Sequence, residues 1–88
     1  MTSTWTLRPQ EYTPDAGHFA NVEMVLVTMA AMRKVGRADI AAALAALATA
    51  GTVQRLDHLQ VLERNVDGVR IYAIDDGEAV TLLLPDDW

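Results

Sequence analysis

The chain has 88 residues, 51% of them apolar and 22% charged, the composition of one folded domain over residues 1–88 and not of a disordered segment. It contains no cysteine, which excludes a disulfide framework, a thiolate metal site and a cysteine nucleophile together. Seven cations against twelve acids give a net charge of −5; a chain so acidic lacks the basic footprint that grips phosphate backbones, so nucleic acid is not the expected partner.

Residues 1–12 alternate weakly through Trp5 and Leu7 before Pro9, which predicts a short edge strand over residues 4–8. The opening MTSTWTLRPQ has no apolar signal core, and no apolar run approaches a membrane span; a cytoplasmic location away from membranes is expected. Thr13-Pro14-Asp15 reads as a helix entry, with threonine as cap and proline at the first helical position. Gly17 pushes the start of the regular helix toward His18 or Asn21. Val22, Val25, Leu26, Met29 and Met32 then recur at helical spacing, and Arg33 and Lys34 suit a helix C-terminus. Residues 22–28 are also rich in strand formers, so a strand is the alternative there.

Gly36 separates this helix from a second, which opens at Arg37-Ala38-Asp39. Ile40, Leu44 and Leu47 form its apolar stripe among many alanines, and Gly51 is the expected C-terminal cap. Two helices joined so tightly predict a helical hairpin. Residues 52–56 are expected to begin the sheet. Strands follow over residues 59–66, 69–75 and 78–84, separated by Asp67-Gly68 and Asp76-Gly77, the dipeptides that favour type I′ turns with two positive φ angles. The expected fold is therefore α+β: a helical hairpin packed on a small antiparallel sheet in the order β-α-α-β-β-β.

The order of these elements, ending in DGVRIYAIDDGEAVTLLL, resembles the strand meander of the RelE/ParE superfamily of bacterial toxins over roughly residues 40–84. The resemblance implies a toxin–antitoxin component with Arg64, Arg70 and Tyr72 as its working residues. Ribosome-directed members of that family are basic and carry Lys, Arg, His or Tyr on the sheet and at the C-terminus. This chain has only Arg55, Arg64, Arg70 and Tyr72 on the expected sheet and closes with Asp86-Asp87-Trp88, which puts the nuclease activity in doubt. The stretch LAALATAGTVQRL resembles a recognition helix of winged-helix proteins running into the wing, with the hairpin at Asp67-Gly68 as that wing. Residues 40–50 hold no arginine, lysine, asparagine or glutamine to read base edges, so the resemblance implies a protein-binding winged helix before a DNA-binding regulator.

Candidate chemistry is sparse. His18 and His58 are the only histidines and lack paired ligand spacing, Ser3 is the only serine, and the five glycines form no phosphate-binding loop. No metal, cofactor or catalytic set is expected. Asp75, Asp76, Glu78, Asp86 and Asp87 place five of the twelve acids in the last fourteen residues; they read either as solvated turn residues or as a patch for a basic partner. Arg33, Lys34 and Arg37 cluster at the helix corner, as helix-end charges or as half of a self-association contact. Alternation places Arg70, Tyr72 and Ile74 on one side of their strand, an arginine–tyrosine face suited to an interface; the alternative is cross-strand pairing of Arg70 or Arg64 with Glu63 or Glu78. Trp5 and Trp88 read as a packed pair or as exposed anchors.

The sequence thus reads as a small acidic, non-enzymatic protein–protein interaction module of bacterial or phage type, an inhibitor or regulator that engages a basic surface on a protein target. The residues expected to carry binding are Arg64, Arg70, Tyr72, Asp75, Asp76, Glu78, Asp86, Asp87 and Trp88. A homodimer is the expected assembly if the chain self-associates.

Overall fold

The structure, a computed structural model, describes residues 4–9, 19, 24–53 and 55–87. Five strands, β1 (Trp5–Leu7), β2 (Val25–Val27), β3 (Leu59–Arg64), β4 (Arg70–Asp75) and β5 (Val80–Leu83), form one sheet in the order β1-β3-β4-β5-β2. Two helices, α1 (Met29–Val35) and α2 (Arg37–Val53), precede β3, and a 3₁₀ turn, Pro85–Asp87, follows β5. The α+β class and the order of helices before the C-terminal strands agree with the sequence reading. The sheet is mixed, however: β1, β3, β4 and β5 each pair antiparallel with the next, while β2 runs parallel to β5.

Strand β2 is the main departure from expectation. The helix read from residue 22 onward begins only at Met29, because Val25, Leu26 and Val27 take an extended slot beside β5, where β-branched side chains fit the pleat. Its register is held by Val80 N–H donating to the Met24 carbonyl (2.8 Å) and Thr28 N–H to the Leu82 carbonyl (3.0 Å). Thr28 then caps α1, its hydroxyl accepting from Ala31 N–H at 3.1 Å. The apolar residues that suggested a long helix, Val25, Leu26, Met29 and Met32, are exposed; α1 turns Ala31 and Val35 inward instead. The helix entry at Thr13-Pro14-Asp15, with Gly17, His18 and Asn21, lies outside the described residues, as do Ser3 and Trp88.

A single residue, Gly36, joins the helices. Its N–H donates to the Met32 carbonyl (2.9 Å) and its own carbonyl accepts from Ile40 N–H (3.0 Å), so it closes α1 and opens α2. Its φ of 90° and ψ of 153° lie in a region open essentially to glycine alone. Helix α2 buries Ile40, Ala43 and Leu47, with Leu44 half-buried beside them. Gly51 does not cap it: α2 continues through Val53, so residues 52 and 53 belong to the helix and the long strand starts only at Leu59.

The core lies between the helices and one face of the sheet. Register aligns Leu7 with Leu62, Leu62 with Ile71, Ala73 with Leu82 and Asp75 with Val80, so one parity of each strand meets Ile40, Ala43, Leu47 and Phe19. Phe19 is almost fully buried although its φ is 65°, a conformation disfavoured for a bulky residue. Its N–H is held by the Asp75 carboxylate at 3.0 Å.

The two hairpins also differ from the expected type I′ turns. Only the glycines take positive φ, 73° at Gly68 and 94° at Gly77. The first reversal spans four residues, closed by Arg64 N–H to the Val69 carbonyl (2.8 Å) and Gly68 N–H to the Arg64 carbonyl (2.7 Å). The second centres on Gly77-Glu78, with Asp76 N–H donating to the Ala79 carbonyl at 3.2 Å. In both, an aspartate side chain satisfies backbone donors that the ideal turn would pair internally.

Candidate functional site

The sheet has a second face, and no described helix lies on it. Strand parity places Thr6, Leu59, Val61, Glu63, Arg70, Tyr72, Ile74, Thr81, Leu83 and Leu26 there, opposite the core. Cross-strand pairs build it: Glu63 beside Arg70, Val61 beside Tyr72, Leu59 beside Ile74, and Tyr72 beside Leu83. Leu59, Val61 and Tyr72 are half-buried and with Pro85 line a shallow groove of about 380 Å³. A second recess of about 240 Å³ shares Pro85 and is lined by Lys34, Val69, Arg70, Leu84 and Asp86. The two recesses meet at Pro85, the first largely apolar and the second bordered by Lys34, Arg70 and Asp86.

Arg70 and Tyr72 occupy this face together, as alternation predicted. Arg70 Nε donates to Glu63 Oε2 at 3.0 Å, and Arg8 Nη1 approaches the same oxygen at 3.6 Å. These exposed pairs contribute little to stability but hold the guanidinium upright at the groove's border.

Arg64 lies on the other face. Its side chain is only 12% exposed. Nη1 donates to Asp39 Oδ2 (2.9 Å) and to the Val35 carbonyl (3.3 Å), while Nε and Nη2 grip Asp67 Oδ1 and Oδ2 at 3.0 and 2.9 Å. The guanidinium also stands 5.8 Å from the centre of the buried Trp5 ring. The Asp67 hydrogen bonds hold the Arg64 guanidinium above its ordinary pKa against the opposing effect of burial, helped by Asp39. Arg64 therefore clamps the start of α2 to the first hairpin, and it cannot join Arg70 and Tyr72 in one site.

The five C-terminal acids do not form one patch. Asp75, Asp76 and Glu78 surround the β4–β5 turn, whereas Asp86 and Asp87 follow the far end of β5; at about 3.3 Å per residue the length of β5 keeps the groups roughly 13 Å or more apart. Most of these carboxylates are committed to the backbone. Asp75 accepts from Phe19 N–H (3.0 Å) and Gly77 N–H (2.9 Å), and Asp76 Oδ1 from Glu78 N–H and Ala79 N–H, both at 2.9 Å. The Ala79 and Glu78 amides hold the Asp76 carboxyl below the usual carboxylate range. Asp87 Oδ2 accepts from the Thr28 hydroxyl (2.8 Å) and Leu84 N–H (3.1 Å), tying the 3₁₀ turn to the start of α1. Glu78 and Asp86 are the exposed remainder. Lysine at Asp75, Asp76 and Asp87 would disrupt the fold before testing any surface charge.

Arg33, Lys34 and Arg37 are exposed around Gly36, and Lys34 reaches the border of the groove. His58 is exposed and bonded to Asp57 through Nδ1 at 2.9 Å; among the described residues no cluster of histidine and carboxylate side chains is placed to hold a metal ion. No described helix is long and apolar enough to cross a membrane.

Alternation had placed Ile74 with Arg70 and Tyr72, but sequence reasoning missed their apolar neighbours on this face, Leu59, Val61 and the buried Leu83. The signal was present, since LQVLER and VTLL are apolar at both parities and do not alternate cleanly, the pattern of strands buried on two faces. Comparison with family models, curated proteins and solved structures finds no match.

Proposed function

We propose that the protein is a non-enzymatic interaction module that binds another protein through the open face of its sheet. The carrying observation is the shallow apolar groove over Leu59, Val61, Tyr72 and Pro85, with Arg70, paired with Glu63, in the adjoining recess. Tyrosine and arginine beside a shallow apolar groove supply the large contact area and directional hydrogen bonding that concentrate binding energy. The partner presents an apolar segment to this groove and carries net positive charge, because a chain of charge −5 attracts a basic partner at long range and repels an acidic one. The role proposed is that of an inhibitor or regulator acting by occupancy.

Affinity capture with three versions of the protein tests this reading: the wild type, Tyr72→Ala, and the reversal pair Glu78→Lys with Asp86→Lys. The wild type is expected to retain a stoichiometric basic protein. Tyr72→Ala should weaken that capture at least tenfold, the loss typical of a central aromatic anchor of about 2 kcal/mol, while the reversal pair should mainly slow association. Equal capture by wild type and Tyr72→Ala removes the open face from the binding surface. Growth arrest on induced expression would replace occupancy with a toxin activity.

A further inference from the structure

The outer edge of β2 carries a separate assignment. β2 is the last strand of the sheet, and among the described residues nothing pairs with its outer edge. The Met24 carbonyl and Thr28 N–H bond inward to β5, so the backbone groups of Val25 and Val27, one residue out of phase, point away from the sheet. Exposed edges are normally guarded by charge or proline. The opposite edge follows that rule, since β1 runs directly into Arg8 and Pro9. Here the nine residues 24–32 contain no charge, and Met24 (56% exposed), Leu26 (53%) and Met29 (70%) stand in solvent.

We infer that this edge pairs with the β2 edge of a second copy of the chain, antiparallel about a two-fold axis through Leu26. In that register Val25 faces Val27 of the other copy and each pair exchanges two N–H···O=C bonds, four in all. Leu26 meets its own counterpart between them. The match is isologous, so one short neutral sequence supplies both halves. Self-complementarity selects the occupant: the uncharged Val25, Leu26 and Val27 of one copy lie against the same three residues of the other, so two chains of −5 each meet without like charges face to face. Growth ends at two copies because Arg8 and Pro9 guard the other edge of the described sheet. The strip is short, at the low end for a stable pair, so the association is weak, with an expected dissociation constant of about 10–100 µM. A two-fold axis normal to the sheet leaves both open faces on the same side, ready for bivalent attachment.

Sedimentation equilibrium and concentration-dependent amide exchange test the assignment on the intact chain. The wild type should approach twice its 9.6 kDa mass at about 200 µM and dissociate on dilution to about 1 µM. Val25 and Val27 amides should become protected only at the high concentration; Leu26 N–H, which faces β5, should be protected at both. Leu26→Lys places two like charges on the axis and should weaken association at least tenfold without changing the circular dichroism spectrum. Val25→Pro removes an outward N–H that the monomer does not use, and should do the same. A monomeric wild type at about 200 µM, or a dimer equally strong in Leu26→Lys, overturns the inference. Protection of Val25 and Val27 that is independent of concentration also overturns it.

Discussion

Replacing Arg64 by alanine should destabilise the protein by about 3 kcal/mol, a large fraction of the total for a domain of this size. The charge-assisted bond from Arg64 to Asp39 is shielded on both sides, the two side chains being 12% and 14% exposed, and its loss costs about 2 kcal/mol because Asp39 then keeps a poorly solvated charge. The Val35 carbonyl loses a long donor at 3.3 Å, worth about 0.5 kcal/mol. The Trp5 ring loses a cation at 5.8 Å, near the outer limit of that interaction and worth about another 0.5 kcal/mol. At roughly 4–8 °C per kcal/mol for a domain of this length, the melting temperature should fall by roughly 12–24 °C. Urea melts of Arg64→Ala, Asp39→Ala and the double variant give the pairwise part directly, expected at about 2 kcal/mol of coupling. Because the pair is shielded, high salt should reduce that coupling little. A loss below about 1 kcal/mol for Arg64→Ala, or a coupling near zero, would mean that Arg64 is solvated and available to a partner after all.

Two further outcomes concern the chain's turns and its joint. The Asp76 carboxyl is held below its ordinary value of 3.8 by the Ala79 and Glu78 amides, and the Asp67 carboxyl by Arg64. As pH falls below about 4 the unfolded chain takes up protons before the folded one does, so this stabilisation is full at neutral pH and is lost on acidification. Urea midpoints measured between neutral pH and about pH 2 should show Asp76→Asn with a shallower acid dependence than the wild type; an identical dependence would mean that the Asp76 bonds do not persist in solution. Gly36→Ala should cost about 1–3 kcal/mol through backbone strain alone, because a Cβ there meets nothing within 4 Å, and thermal melting reads the loss. A neutral substitution would show that α1 and α2 join in another conformation.

Much of the fold was legible in local sequence. Strands β3, β4 and β5 and the edge strand β1 were visible in runs of strand formers bounded by Asp-Gly or proline, and α2 in its Ile40 and Leu47 stripe, because alternation, propensity and turn residues there act over a few positions and point the same way. The pairing of Arg70 and Tyr72 on one face also followed from period two alone. The five acids were harder. Their crowding within fourteen residues concealed that β5 separates them and that three of the five carboxylates, on Asp75, Asp76 and Asp87, accept backbone N–H bonds.

What the sequence by itself determined is the α+β class, the acidic balance, the lack of cysteine chemistry, and which residues favour strand or helix. Tertiary structure decided the rest. Residues 25–27 satisfy a helical period and a strand propensity equally, and only the vacant parallel slot beside β5 selects the strand. The fate of Arg64 and Arg70 was likewise undetermined: both are arginines flanking one hairpin, yet opposite strand parities send one to Asp39 and Trp5 beneath α2 and the other to the open face. Local preference ranks conformations of a segment, whereas which face is covered depends on where distant elements come to rest, and that is a property of the packed chain.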